Sequence, residues 1–221
     1  VYELQRELGL PRLPRSLICF DISHAQGTDV VASAVWFENG RPKRSEYRKF
    51  KIAIFEGNDD FKSMHEVVTR YFTRRVAEEL ELPDLAVIDG GKGQLGAARA
   101  ALEALGVTSM GLISLAKRDE EIFLPGRRDP VRLPRRSPAL RMLQQARDEA
   151  HRFAVSFQRQ KRAARTITSE LLKVPGVGPT KRRALLTAFG GVQGVREATV
   201  HQIAAVPGFG PGSAERLLSA L

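Results

Sequence analysis

A chain of 221 residues, 43% hydrophobic, can bury a core and is long enough for two modest domains; no apolar run approaches the roughly 20 residues of a membrane span, so a soluble chain is expected. The single Cys19 excludes a disulfide framework or a cysteine-rich zinc site and, with no signal peptide, points to a reducing cytoplasm. The net charge of +10 is uneven, for residues 117–183 hold 18 basic and 7 acidic side chains; this excess suits a surface facing a polyanion, although a ribosomal or membrane-surface patch would carry the same mark.

Val1 to Leu10 reads as the tail of a helix interrupted by Pro11 and Pro14, so residues 1–14 are expected to be a segment or linker entering from a larger protein. Arg15 to Asp21, Val30 to Phe37 and Glu46 to Ile54 read as strands, and Asn39-Gly40 as a hairpin turn. Asp59-Asp60 can cap a helix to about Leu80, with Met64, Val67, Val68, Tyr71, Phe72 and Val76 at helical spacing. Leu85 to Ile88 is a buried strand, followed by Asp89-Gly-Gly-Lys-Gly93 and an Ala/Leu-rich helix to Gly106. Gly111 to Ala116 is another strand, Glu121 to Leu133 alternates as a hairpin would, and Ser137-Pro138 opens a long helix to about Arg165. This order predicts an α/β domain over residues 15–165, a mixed five-stranded sheet with flanking helices; it is the element order of the ribonuclease H-like fold, which alone says little about function.

Residues 168–221 differ, with short helical segments punctuated by Pro and Gly as in a small all-α domain. Val174-Pro-Gly-Val-Gly-Pro-Thr-Lys-Arg-Arg-Ala-Leu-Leu186 aligns with Val206-Pro-Gly-Phe-Gly-Pro-Gly-Ser-Ala-Glu-Arg-Leu-Leu218 at an offset of 32 residues, with seven of thirteen positions identical. Each Pro-Gly-x-Gly turn exposes backbone N–H groups at a helix start, an anion cradle. Gly176, Gly178, Gly208 and Gly210 are therefore candidate phosphate contacts; Lys181, Arg182 and Arg183 add charge to the first turn, while Ser213, Ala214 and Glu215 add little to the second. The pair resembles the tandem helix-hairpin-helix family, which binds duplex DNA through the minor groove without reading sequence. A single copy would be as well explained as a helix terminator.

Three polar residues stand where an apolar pattern would not place them: Asp21 after Ile-Cys-Phe, Asp89 after Leu-Ala-Val-Ile, and His151 beside the long helix's apolar stripe. In a ribonuclease H-like sheet the first and fourth strands are parallel neighbours, so two carboxylates near their carboxyl ends would lie side by side and could bind Mg2+ or Mn2+. A bound divalent ion could activate water and stabilise charge on a phosphodiester, and His151 could be a ligand or a general acid or base. Lys92 and Lys117 could hold the scissile phosphate, or be solvated surface lysines; singly, Asp21, Asp89 and His151 also have structural readings.

Phe20-Asp-Ile-Ser-His-Ala-Gln-Gly27, Ile88-Asp-Gly-Gly-Lys-Gly-Gln-Leu95, Ser114-Leu-Ala-Lys117 and Arg147-Asp-Glu-Ala-His-Arg-Phe-Ala154 resemble the hallmark blocks of the UvrC family, the incision subunit of bacterial nucleotide excision repair. The resemblance spans nearly the whole chain in the family's order. It implies a ribonuclease H-like domain cutting the damaged strand on the 5′ side of the lesion, an Asp-Asp-His triad at Asp21, Asp89 and His151, and a further acidic position at Asp59 or Asp60, for which helix capping is an equal account. It implies damaged double-stranded DNA and UvrB, of the UvrA-UvrB system, as partners, with the GIY-YIG module for the 3′ cut and the UvrB-binding segment outside this sequence. Phe61 stands where the family usually has a tyrosine, and Ser156-Phe157-Gln158 where a tyrosine and a histidine are common, which leaves local substrate contacts open. Ordinary ribonuclease H uses an all-carboxylate site, and a histidine there would favour a different occupancy, with at least one ion expected. Competing readings are a junction- or RNA-cleaving relative of the same fold, and a non-catalytic DNA-binding scaffold.

Overall fold

The computed structural model describes residues 1–24, 30–52 and 59–221, without the side chains of 157–170, 172, 173 and 192. It divides into two units, residues 1–158 and 159–221, the division falling within one long helix, Pro138–Lys173. That helix outlasts the expected end near Arg165 by two turns.

In the first unit β1 (Ser16–His24) pairs antiparallel with β2 (Val30–Glu38), which carries β3 (Arg41–Pro42) and β4 (Arg48–Ile52) on its outer side. The β2–β3 turn has Asn39 and Gly40 at φ 50° and 77°, the doubly left-handed geometry that the Asn-Gly pair favours. The expected third strand is β4, which starts two residues late because a 3-10 turn, Arg44–Glu46, occupies its first position; its last two expected positions, 53 and 54, lie outside the described residues. β1 also pairs in parallel with β5 (Leu85–Asp89), β5 in parallel with β6 (Gly111–Ala116), and β6 antiparallel with β7 (Glu121–Phe123). The mixed sheet thus runs β3-β2-β1-β5-β6-β7, with β4 beside β2. Seven segments replace the expected five because the short β3 was not expected and β7, the remnant of the expected hairpin, joins the sheet as an edge. The hairpin expected over Glu121 to Leu133 shrinks to β7 and one bridge, Ile122 to Val131; Pro125 and Pro130 cannot donate to a longer ladder.

Strand alternation builds two cores. Ile18, Phe20, Ala86 and Ile88 face α2 (Asp60–Ala77) and α3 (Lys92–Ala104), where Met64, Phe72, Ala98 and Leu102 bury. Leu17, Cys19, Leu85 and Val87 face α1 (Tyr2–Leu8) and α4 (Pro138–Lys173), where Leu4, Leu8, Leu140, Leu143 and Ala150 bury. Burial of Leu4 and Leu8 makes the N-terminal segment part of this unit rather than a free linker, and Glu3 accepts a hydrogen bond from Ser137 Oγ at 2.7 Å. Ser137 Oγ also caps α4 by accepting from Leu140 N at 3.2 Å.

Buried Arg75 ties α2 to the sheet: its guanidinium donates to Glu81 O at 2.7 Å, Tyr71 Oη at 3.0 Å and Glu46 at 3.1 Å, and lies 4.5 Å over the Trp36 ring. Arg75→Ala leaves Glu46 and Tyr71 without their donor and is expected to lower unfolding free energy by about 3 kcal/mol in chemical denaturation; a change within experimental scatter would contradict this account.

The second unit contains the end of α4, α5 (Pro179–Phe189), α6 (Val192–Glu197), α7 (Val200–Ala204) and α8 (Pro211–Ser219). The duplicated segments fold alike. Val177 N bonds to Val174 O at 3.1 Å and Phe209 N to Val206 O at 3.0 Å, while Gly176 and Gly208 take φ 84° and 89° after a proline, the pattern of a type II turn. Gly178 and Gly210 then cap α5 and α8, each with proline at the first turn. Leu185 and Leu217 are fully buried in the shared core, with Leu186 and Leu218 packed against it.

Candidate active site

The last parallel pair between β1 and β5 is Phe20 with Ile88, so Asp21 and Asp89 are the next positions on adjacent strands. Alternation turns both toward the α4 face, and both are buried. Ser23, two residues on and on the same face, donates to Asp21 Oδ2 at 2.8 Å. From α4, His151 brings Nδ1 to 3.2 Å from the same oxygen. Lys117, just past β6, places Nζ 3.5 Å from Asp89 Oδ2; the oxygen is fully buried and makes no hydrogen bond, so this contact is a charge pairing at long range.

Electrostatics mark the pair as strained. Burial, then the neighbouring Asp21 charge, push Asp89 up from 3.8 to about 6, with Lys117 and Arg147 pulling the other way. Burial above all, helped by Asp89 and Asp21, also raises the Cys19 thiol well above its ordinary value, which makes it an inert core residue. A carboxylate oxygen with no donor, beside a second carboxylate, is where a hard cation relieves repulsion. Among the described residues no ready-made group of three or more acidic, His or Cys ligands is gathered; two carboxylates and a histidine bonded to one of them are what the fold supplies.

The other candidates separate. Asp59 is the cap of α2, accepting from Phe61 N at 3.0 Å and Lys62 N at 3.1 Å, and those bonds hold its carboxyl below the usual range. Asp60 meets His24 Nε2 at 2.5 Å, and alternation puts His24 on the sheet face opposite Asp21. Lys92 turns toward the β7 side, donating to the Arg128 carbonyl with its Nζ 5.5 Å from the Phe123 ring centre. Gln94 explains part of the glycine block, since its side chain accepts from Gly91 N at 2.8 Å at the start of α3. Ala25 to Gly27 of the first sequence block, Gly57 and Asn58 just before the Asp59-Asp60 pair, and the side chains of Phe157 and Gln158 lie outside the described residues.

Two contributors escape the sequence reading. Ser23 was detectable, because it sits two residues after Asp21 in a strand. Arg147 lies one helical turn before His151, is buried, and is held by Glu120 at 2.7 Å and Asp148 at 3.1 Å. Its place in the block headed by Arg147 was visible, but its charge acts on Asp89 only through the packing of α4 on the sheet.

In the second unit Gly176, Gly178 and Gly208 are exposed and Gly210 half-exposed at the two turns. The hairpins differ in one respect. Gly210 N donates to Ser213 Oγ at 2.8 Å, whereas the repeat equivalent of Ser213 is Lys181, which cannot accept. Lys181 extends along Gly208 to place Nζ 5.4 Å from the Phe209 ring centre, Arg183 is exposed, and Arg182 is half-buried.

A mixed sheet of this order, with paired acids just past the last pair of its central parallel strands and doubled helix-hairpin-helix turns after it, defines a ribonuclease H-like endonuclease domain joined to a helix-hairpin-helix module. The profile of the UvrC RNase H endonuclease domain matches residues 5–155, and that of the SAM-like helix-hairpin-helix tandem matches residues 168–221. The chain belongs to the UvrC family. It is 85% identical over its whole length to UvrABC system protein C of Gemmatimonas aurantiaca, covering 36% of that protein, and 52% identical over 94% of its length to that of Gloeobacter violaceus, covering 34%. It thus spans about a third of these curated relatives. Among solved structures, endonuclease V of Bacillus subtilis aligns with TM-score 0.41 at 15% identity, over 72% of this chain and 93% of that one.

Proposed function

We propose that this chain is the part of an excision-repair endonuclease that cuts damaged double-stranded DNA on the 5′ side of the lesion, acting with UvrB of the UvrA-UvrB system in the cytoplasm. The observation that carries the reading is the burial of Asp21 and Asp89 on adjacent parallel strands, each just past the last pair between them, with one carboxylate oxygen left without a donor. Asp21 and Asp89 would hold Mg2+ or Mn2+, with His151 at the edge of the same site. When bound, the ion supplies Lewis-acid stabilisation of charge on the phosphodiester oxygens and lowers the pKa of water. Asp21 accepts from His151 Nδ1 and so fixes the tautomer, leaving the Nε2 lone pair to take the attacking water's proton. Lys117, exposed beyond Asp89, offers its charge to the scissile phosphate, and Arg147 offsets the acidic pair from below. The test is nicking of lesion-containing duplex by the full-length protein with its partner proteins: triad variants should bind but not cut. Cutting that survives would favour a scaffold role, and preference for RNA or junctions would favour the other rival.

In this reading the two hairpins bind backbone phosphates through Gly176, Gly178, Gly208 and Gly210, with Lys181, Arg182 and Arg183 on the first. Ser213 already engages the Gly210 N–H, so the first hairpin carries more of the grip. Neutralising Lys181 and Arg183 together as glutamines is expected to weaken duplex binding at least about tenfold near physiological salt and flatten its salt dependence. Ser213→Glu should cost less. Equal losses in both, read by fluorescence anisotropy across a salt series, would remove the asymmetry.

A further inference from the structure

β2 is apolar almost throughout, Val30-Val-Ala-Ser-Ala-Val-Trp-Phe37, and Ser33 is its one interior hydroxyl, with no solvent exposure. Burying a hydroxyl is unfavourable unless it is bonded. Ser33 Oγ donates to Ala150 O in α4 at 2.8 Å, although that carbonyl is also placed to serve the helix's own ladder. Two features make this more than a satisfied core serine. Ser33 is the antiparallel partner of Asp21, so the two side chains share a face on neighbouring strands. The carbonyl it grips belongs to the residue immediately before His151.

We infer that Ser33 is a positioning residue for the imidazole: it pins α4 to the sheet at Ala150, opposite Asp21, and thereby sets the distance between His151 Nδ1 and the Asp21 carboxylate. The inference rests on the proposed nuclease reading. Ala146, Ala150 and Ala154, all fully buried, allow α4 to approach the strands closely, but methyl groups specify neither its rotation nor its slide. A hydrogen bond from a strand that is itself registered to β1 specifies both. Asp21, Ser33, Ala150 and His151 thus form a closed loop of strand pairing, tether, one peptide unit and the 3.2 Å contact. Displacements of about an ångström at reacting groups can cost rate severely, so the tether should act on the chemical step rather than on substrate binding.

The experiment uses the full-length protein with its partner proteins on lesion-containing duplex. Ser33→Ala is expected to lower kcat about tenfold, leave KM within about twofold and keep Tm near that of the parent, while Ser33→Thr restores most of the rate. In a His151→Ala background, Ser33→Ala should cause no further loss, because its target is gone. Wild-type kcat in Ser33→Ala, or the same fold-loss in both backgrounds, overturns the inference. Amide exchange around His151, faster in Ser33→Ala, reads the tether without activity, and unchanged exchange also overturns it. Asp21→Asn separates the two levels: cutting that survives this change refutes the nuclease reading, whereas the exchange result still decides whether Ser33 holds α4.

Discussion

Asp21→Asn and Asp89→Asn are each expected to abolish 5′ incision, lowering the single-turnover rate by at least about 10³-fold, while duplex affinity stays within about twofold of the parent. Asparagine keeps the size of the side chain and removes the charge that would hold the ion. At position 21 it also removes the anion to which His151 Nδ1 and Ser23 Oγ are bonded, so the imidazole loses its orientation as well. His151→Ala should be comparably severe for the chemistry but should leave ion binding to the carboxylates largely intact. Gel-resolved incision and anisotropy on the same preparations check this. Loss of binding in parallel with loss of cutting would mean that the acids serve the fold or the DNA contact instead.

Asp89→Asn should also make the apo-protein more stable at neutral pH. The folded-state Asp89 is raised from 3.8 to about 6 by burial and by Asp21. Below about pH 4 the group is protonated whether the chain is folded or not, and costs little. Between about 4 and 6 the unfolded chain releases its proton first, so stability falls as pH rises, and the penalty is complete above about 6. The variant is therefore expected to exceed the parent by on the order of 2 kcal/mol at pH 7 without divalent ions, converging with it toward pH 4. Adding Mn2+ should raise the parent's Tm and leave the variant's nearly unchanged, since only a site that binds the ion gains from its concentration. Denaturation with chelator or Mn2+ across that pH range tests both statements; a variant less stable than the parent at pH 7 would refute the strain at this pair.

The strain at Asp89 was partly legible in the chain. An aspartate ending an apolar run of Leu85 to Ile88 is a residue that packing alone would not select, and the same holds for Asp21 after Ile18-Cys-Phe20. Their meeting required the strand order, which rested on the succession of elements. His151 was harder, because a histidine on a 36-residue helix has no address until the helix is docked. The hairpin over Glu121 to Leu133 was overestimated because alternation was weighed above the prolines. The helix of Val1 to Leu10 was legible but was set outside the α/β domain because Pro11 and Pro14 are visible in sequence, whereas the packing that buries Leu4 and Leu8 is not.

Local chemistry written in neighbouring residues was therefore decided by the chain alone: the Asn39-Gly40 turn, the Ser137 cap, the left-handed glycines of both hairpins and the apolar runs of the central strands, which bury on both faces. These depend on backbone sterics and hydrogen bonds spanning only a few residues. Tertiary structure alone decided that Asp60 turns to His24 and Lys92 to the β7 side, that Arg147 acts on Asp89, and that Ser33 grips the helix before His151. Each of these joins groups distant in sequence or selects between possible partners, and such choices depend on how helices seat on a sheet, which no local pattern of residues encodes.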